Sequence, residues 1–304
     1  MIELTDTSSA EIAAEFVRAR RRAGSPAMGM VMTLVVVVDD EDAKAALAAA
    51  RAASREHPAR VLGLIVGEDT GPSRVIAQIE VGAAGWTGET ALIRLHGAVT
   101  HHPESVVLPL LLPDSPVVVW WASAAPEDPA NDPLGKLAQR RITDAAVVTR
   151  GKTSAMLAQC DSYSQGNTDL AWTRLTPWRA LLAAALDQYP VKVTAASVTA
   201  ERISPSADLL GAWLSERLRI DVARHNSAGP GITRVALETK KGPIAISRGD
   251  GRLGMLSSPG QPDRPVALKR RTLPELLAEE LRHLDEDDIY AAAARRLVAM
   301  RAGS

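Results

Sequence analysis

Residues 31–38 read VMTLVVVV and residues 60–66 read RVLGLIV. Both are unbroken apolar runs, the pattern of strands covered on both faces. Between them, residues 41–55 are alanine-rich and are expected to form a helix, capped by Asp39 or Asp40. Strand, helix, strand with continuous apolar strands implies an α/β sheet, mostly parallel, with helices on its faces.

Working outward, residues 74–81 and 89–95 are expected as shorter strands, and VVVWW at 117–121 as the last strand of this half. Upstream, AEIAAEFVRARRR at 10–22 places Ile12, Phe16 and Ala19 on one helical face. Gly24, Ser25 and Pro26 are expected to stop that helix, with Arg18, Arg20, Arg21 and Arg22 lying favourably against its dipole.

Downstream, ASAAPEDPANDP at 122–133 is a loop, and residues 167–187 are expected as helix, restarted at Thr176 as cap with Pro177 at the first helical position. A strand at 191–199 is followed by Ser204-Pro205, opening a helix to about Arg219 with Leu210, Trp213, Leu214 and Leu218 on its apolar face. Strands are expected at 232–238, 243–248 and 252–257, the last two joined by a hairpin turn at Gly249-Asp250-Gly251. Thr272 and Glu275 form a capping box before Leu273, Leu276, Leu277, Leu281 and Leu284, and a last helix covers 288–300. The expected fold is α/β with two lobes: the first a mostly parallel sheet with helices on its faces, the second mixed with an antiparallel meander. The expected divisions are 1–125, a connecting segment of loop and broken helix at 126–189, and 190–304.

Composition narrows the function. A chain of 304 residues fits two domains at about 150 residues each. Lys plus Arg number 35 and Asp plus Glu 36, a net charge of −1, which argues against nucleic-acid binding through bulk charge. Aromatic residues are 3% of the chain, too few for a base-stacking platform. The single cysteine, Cys160, excludes an internal disulfide and fits a reducing cytoplasm. The apolar stretch at 30–38 is about half of the ~20 residues that span a bilayer, and Glu3 and Asp6 interrupt any secretory pattern, so no membrane association is expected.

Catalytic motifs are weak. Gly249, Gly251 and Gly254 have G-x-G-x-x-G spacing, but the MLSS that follows reads as strand where a dinucleotide site needs a helix. Gly151-Lys152-Thr153 resembles the end of a phosphate loop, yet Ala146 stands where its first glycine belongs. His101-His102 are adjacent and match no metal-ligand spacing, and no cofactor or metal ion is expected. His57 in EHPAR is either part of a polar helix-to-strand turn or a cationic site at a sheet edge. No G-x-S-x-G elbow occurs, and Cys160 has no base near it in sequence. Arg140, Arg141 and Asp144 suit a phosphate, an internal ion pair or a surface recognition patch. Trp172 and Trp178 with Arg174 and Arg179 suit a protein interface, where Trp and Arg dominate hot spots, or equally a packed interior contact.

Whole blocks then carry a resemblance: MGMVMTL at 28–34, EHPAR at 56–60, LPLLLPDSPVVVWW at 108–121, DPLGKLAQRRITDA at 132–145, GNTDLAWTRLTPWRALLAAALD at 166–187 and LAEELRHLDEDDIY at 277–290. In this order they resemble the OpcA family, the glucose-6-phosphate dehydrogenase assembly proteins of cyanobacteria and actinobacteria, in its actinobacterial form. The resemblance implies a cytoplasmic, non-catalytic assembly factor and allosteric activator of glucose-6-phosphate dehydrogenase, serving the oxidative pentose phosphate pathway. The partner is then that enzyme, with neither nucleic acid nor membrane. Asp169, Trp172, Arg174, Trp178 and Arg179, with Arg140, Arg141 and Asp144, are expected to form or support the contact surface. The alternative from the residues alone is a phosphate-binding enzyme or sensor for a sugar phosphate or nucleotide, using Arg140, Arg141 and a helix N-terminus.

Overall fold

In a computed structural model, residues 1–23, 29–82, 88–249 and 252–303 are described. Met28, the expected stop at Gly24, Ser25 and Pro26, and Asp250 and Gly251 of the expected turn lie outside them. In chain order the elements begin with β1 (Ile2–Leu4), α1 (Ser9–Ala23), β2 (Met32–Val37), α2 (Ala43–Ala53), β3 (Ala59–Val66), β4 (Arg74–Val81), β5 (Glu89–His96), α3 (Pro103–Val107), β6 (Val117–Trp121) and β7 (Arg140–Thr143). They continue with α4 (Lys152–Asp161), β8 (Asn167–Asp169), α5 (Leu170–Thr173), α6 (Thr176–Gln188), β9 (Val193–Ala200), α7 (Pro205–Leu218) and β10 (Val222–Asn226). Last come β11 (Ile232–Thr239), β12 (Ile244–Ser247), β13 (Leu253–Ser257), β14 (Arg264–Ala267), α8 (Leu273–Arg282) and α9 (Asp288–Ala302).

The chain divides into two compact units. The first comprises Met1–Asp144, Ser164–Thr168 and Leu273–Glu286, the second Ala145–Tyr163, Asp169–Thr272 and Asp287–Ser304. The segment 126–189 thus contributes to both.

The first unit holds a sheet ordered β1-β4-β5-β3-β2-β6-β7-β8. Neighbours from β5 through β7 pair in parallel, whereas β4 lies antiparallel to both β5 and β1. Counting only the parallel strands in chain order gives 3-2-1-4-5, the order of doubly wound nucleotide-binding sheets. The central strands are buried almost throughout, as their apolar runs require. Ile12 and Phe16 of α1 are fully buried in this core, on the face that their spacing defines. α8 packs against α2, burying Leu276, Leu277 and Leu281.

Two expected helix starts are corrected. α2 begins at Ala43, with Asp42 at the cap position and no side-chain capping bond, because residues 39–42 first close a turn in which Asp42 N–H donates to the Asp39 carbonyl at 3.1 Å. Residues 167–169 are strand, and Leu175 holds the cap position of α6 where Thr176 was expected.

The second unit has a sheet ordered β10-β9-β11-β12-β13-β14. β9 and β10 are parallel, and every other neighbouring pair is antiparallel. The hairpin pairing is present, with Ile246 opposite Leu256, and the residues after Gly254 continue a strand, which removes the dinucleotide reading of the three glycines. α7 packs on β9 and on α9, enclosing a core that includes Trp172, Trp178, Leu210, Val198, Val235 and Tyr290.

Candidate functional site

In doubly wound sheets, ligands bind beyond the carboxyl ends of the strands where the winding reverses, which here is between β2 and β6. The turn leaving β2 is Val38-Asp39-Asp40-Glu41-Asp42, and its four carboxylates are all exposed. A dinucleotide site needs glycines there, so that backbone N–H groups reach the pyrophosphate. Asp40 instead holds Arg94 at 2.9 Å, and the Asp39 N–H donates to Ser123 Oγ at 3.1 Å. Four carboxylates repel a pyrophosphate.

Of the eight expected site residues, Arg140, Arg141 and Asp144 lie in the first unit and the other five in the second. Arg140 and Arg141 project from β7 into the interior. Arg140 pairs with Glu280 at 2.6 Å, both side chains being about 95% buried, and donates to the Asp285 carbonyl at 2.9 Å. Arg141 Nε donates to Asn167 Oδ1 at 2.6 Å and Nη1 to the carbonyls of Ala138 and Gly135 at 2.8 and 3.2 Å; Nη2 donates to the Gln165 carbonyl. This closeness demands glycine twice: a Cβ on Gly135 would lie 1.7 Å from the Pro129 oxygen, and Gly166 sits at φ +87°. The phosphate and surface readings of Arg140 and Arg141 are therefore corrected: both guanidiniums are spent on internal partners. Asp144 is buried as well.

In the second unit, Asp169 caps α5: Oδ1 accepts from the Ala171 N–H at 2.7 Å and Oδ2 from the Ala145 N–H at 2.9 Å. Trp172 is buried, donates Nε1–H to Asp287 Oδ2 at 2.7 Å, and packs 5.6 Å from the Tyr290 ring. The other Asp287 oxygen accepts the Tyr290 N–H at 2.8 Å, so one carboxylate both starts α9 and orients the indole. Arg179 stacks on the outer face of Trp172, 3.7 Å from its centroid, and the guanidinium of Arg248 lies 5.2 Å from the centroid of buried Trp178. Trp172 and Trp178 are thus interior, and of the eight residues only Arg174 and Arg179 are partly exposed.

Burial pushes the Cys160 thiol far up, and the Asp169 carboxylate adds to the shift. Cys160 is expected to resist iodoacetamide at neutral pH in the folded protein and to react once the protein is denatured, as read by mass spectrometry. Alkylation of the folded protein at the rate of a free thiol would contradict this placement. His57 is half-buried, and desolvation first, then the charge of Arg282, lowers its pKa below the ordinary histidine value. That lowering favours the neutral imidazole and weighs against its reading as a cationic site.

Sequence reasoning missed two clusters. One is the buried Glu89, which takes Arg60 at 2.7 Å and Arg20 at 2.5 Å. The other is a cavity of about 250 Å³ in the second unit, lined by Lys152, Arg174, Arg248, Lys269, Arg270 and Arg271 with one carboxylate, Glu201. Its cations come from positions spread over more than a hundred residues, so no local motif announces it. Among the described residues, no group of three His, Cys, Asp or Glu is placed to hold a metal ion, and no helix is long and apolar enough to cross a membrane.

Fold and sites together define a two-unit α/β protein whose first unit is doubly wound and carries an acidic turn at the switch point. The chain belongs to the glucose-6-phosphate dehydrogenase subunit family: a family model described as the N-terminal domain of that subunit matches residues 50–161, and one described as its C-terminal domain matches residues 165–294. No curated protein matches the chain significantly. Among solved structures, an oxidoreductase from Sinorhizobium meliloti is similar, at 11% identity and TM-score 0.47, over 90% of this chain and 98% of that one. A glucose-6-phosphate 1-dehydrogenase from Mycobacterium avium matches at 9% identity and TM-score 0.44, over 90% of this chain and 92% of that one.

Proposed function

We propose that this protein is a non-catalytic assembly factor and allosteric activator of glucose-6-phosphate dehydrogenase. The partner comes from the family to which the chain belongs. The observation that carries the non-catalytic half is the turn at residues 39–42, where four carboxylates occupy the position that would have to bind a dinucleotide pyrophosphate. The cytoplasm and the oxidative pentose phosphate pathway follow from the partner.

An activator must bind the active conformation of its partner more tightly than the inactive one. A coupling of about 1–3 kcal/mol corresponds to roughly 5–150-fold. The contact surface in this reading includes Arg174 and Arg179, the partly exposed members of the cluster, with Arg179 held on the Trp172 ring. Arg and Trp together are the residue types that dominate interface energetics.

The test is the initial rate of the same organism's purified dehydrogenase across glucose 6-phosphate concentrations, with and without this protein. A saturable rise in rate or fall in the apparent substrate constant is expected. Arg174→Glu and Arg179→Glu should each weaken the effect while the variants keep the parent circular dichroism. No change in rate and no co-elution of the two proteins would sink the proposal, and activation undiminished by both reversals would move the contact surface elsewhere.

A further inference from the structure

We infer that the cavity in the second unit is a binding site for a small phosphate monoester, a ligand of sugar-phosphate size, held by Arg248, Arg270 and Lys152. The inference goes beyond the partner-binding reading: Arg248, Arg270 and Lys152 are not among the residues assigned to the contact surface, although Arg174 and Trp178 also line the cavity.

Among the described residues the lining charge is one-sided: six lysines and arginines line the wall and Glu201 is the one acidic residue. Arg248 is the centre of the case. It is 8% exposed, its guanidinium donates only to backbone carbonyls, those of Ile232 at 3.1 Å and Leu268 at 3.3 Å, and its Nε has no partner. Among the described residues no carboxylate pairs with this buried guanidinium, whose charge meets only carbonyls and the Trp178 ring, an arrangement that an anion relieves. Burial, and secondarily Arg270, lowers its pKa to about 10, so it is still charged at neutral pH.

The backbone adds to the same field. Three helices begin at this wall: α4 with Lys152, α6 with Pro177, and α7 with Ser204, Pro205 and Ser206. They are 10, 13 and 14 residues long, and each brings the positive end of its dipole. Ser204, which lines the cavity, occupies the cap position of α7 with no side-chain capping bond to the helix. The weak Gly151-Lys152-Thr153 signal has its physical place here: Gly151, at φ +69°, turns the chain so that Lys152 opens α4 at the cavity. A cavity of about 250 Å³ lies just under the roughly 300–1,000 Å³ usual for small-molecule sites, which suits a sugar phosphate and not a dinucleotide.

The experiment is isothermal titration calorimetry of the full chain, without any protein partner, using glucose 6-phosphate, inorganic phosphate and glucose as probes. Saturable binding of glucose 6-phosphate and phosphate, with none by glucose, is expected. Arg270→Gln and Lys152→Gln alter exposed or half-exposed side chains and should leave the fold intact. Each should weaken binding roughly ten- to a hundredfold, the loss expected for a charge-assisted hydrogen bond. Arg248→Lys keeps the charge and should weaken binding less than Arg248→Met. The inference is overturned if neither phosphate compound binds saturably, if glucose binds as well as its phosphate, or if both glutamine variants bind like the parent.

Discussion

Glu280→Ala should destabilise the first unit by about 3–5 kcal/mol, the cost of leaving a buried charge without its partner. Arg140 and Glu280 approach to 2.6 Å with both side chains buried, and Arg140 Nε already lacks a hydrogen bond. Among the described residues, removing the carboxylate leaves the guanidinium with the Asp285 carbonyl as its acceptor. The pair is no proof of high stability, since apolar replacements of similar volume are often neutral or better. The double variant Arg140→Met, Glu280→Leu is therefore expected to recover most of the loss. Native-state hydrogen exchange on the amides of β6 and β7 reads the effect within the first unit, where a single unfolding midpoint of a two-unit chain would blur it. Unchanged protection in Glu280→Ala would show that the pair contributes nothing.

Trp172→Ala should cost about 3–5 kcal/mol in the second unit. Three losses coincide: the buried ring against Tyr290, the platform under Arg179, and the Nε1–H bond to Asp287. Trp172→Phe separates them. It keeps an aromatic face for Arg179 and removes the bond to Asp287, for which roughly 1–3 kcal/mol is expected. Exchange protection at the start of α9, where Asp287 caps the helix, should fall in the alanine variant and less in the phenylalanine one. If both variants protect α9 like the parent, the indole does not organise that helix.

The strongest strands and helices were legible because each carries its own hydrophobic signal. VVVWW at Val117–Trp121 is fully buried strand, and Ile12 and Phe16 mark the inward face of α1. The elements without such a signal went unread. α4 is KTSAMLAQCD, with only Met156, Gln159 and Cys160 buried, and β10 is VARHN at a sheet edge with none of its residues buried. β7 is RRIT, four buried residues of which two are arginines, so polarity concealed an interior strand. The site was legible in residue type but not in placement. Trp and Arg mark interfaces and interiors alike, and sequence carries no measure of which side of a helix faces inward when both aromatic and charged residues crowd it. The cationic cavity was illegible for a topological reason: a helix start at Lys152, a strand end at Arg248 and a loop at Arg270 meet only once the second sheet has formed.

The passage of the chain between units has a consequence for synthesis. It crosses after residues 144, 163, 168, 272 and 286, and the first unit is complete only when Leu273–Glu286 joins it. On a ribosome making about 5–20 residues per second, residue 273 follows residue 144 by roughly 6–26 s. During that interval the emerging sheet has no α8 to cover α2, and Arg140 has no Glu280. The first unit therefore cannot finish while its own early segments leave the exit tunnel. It waits until residue 286 has been made, with an alanine- and leucine-lined helix bare to the cell's chaperones in the meantime.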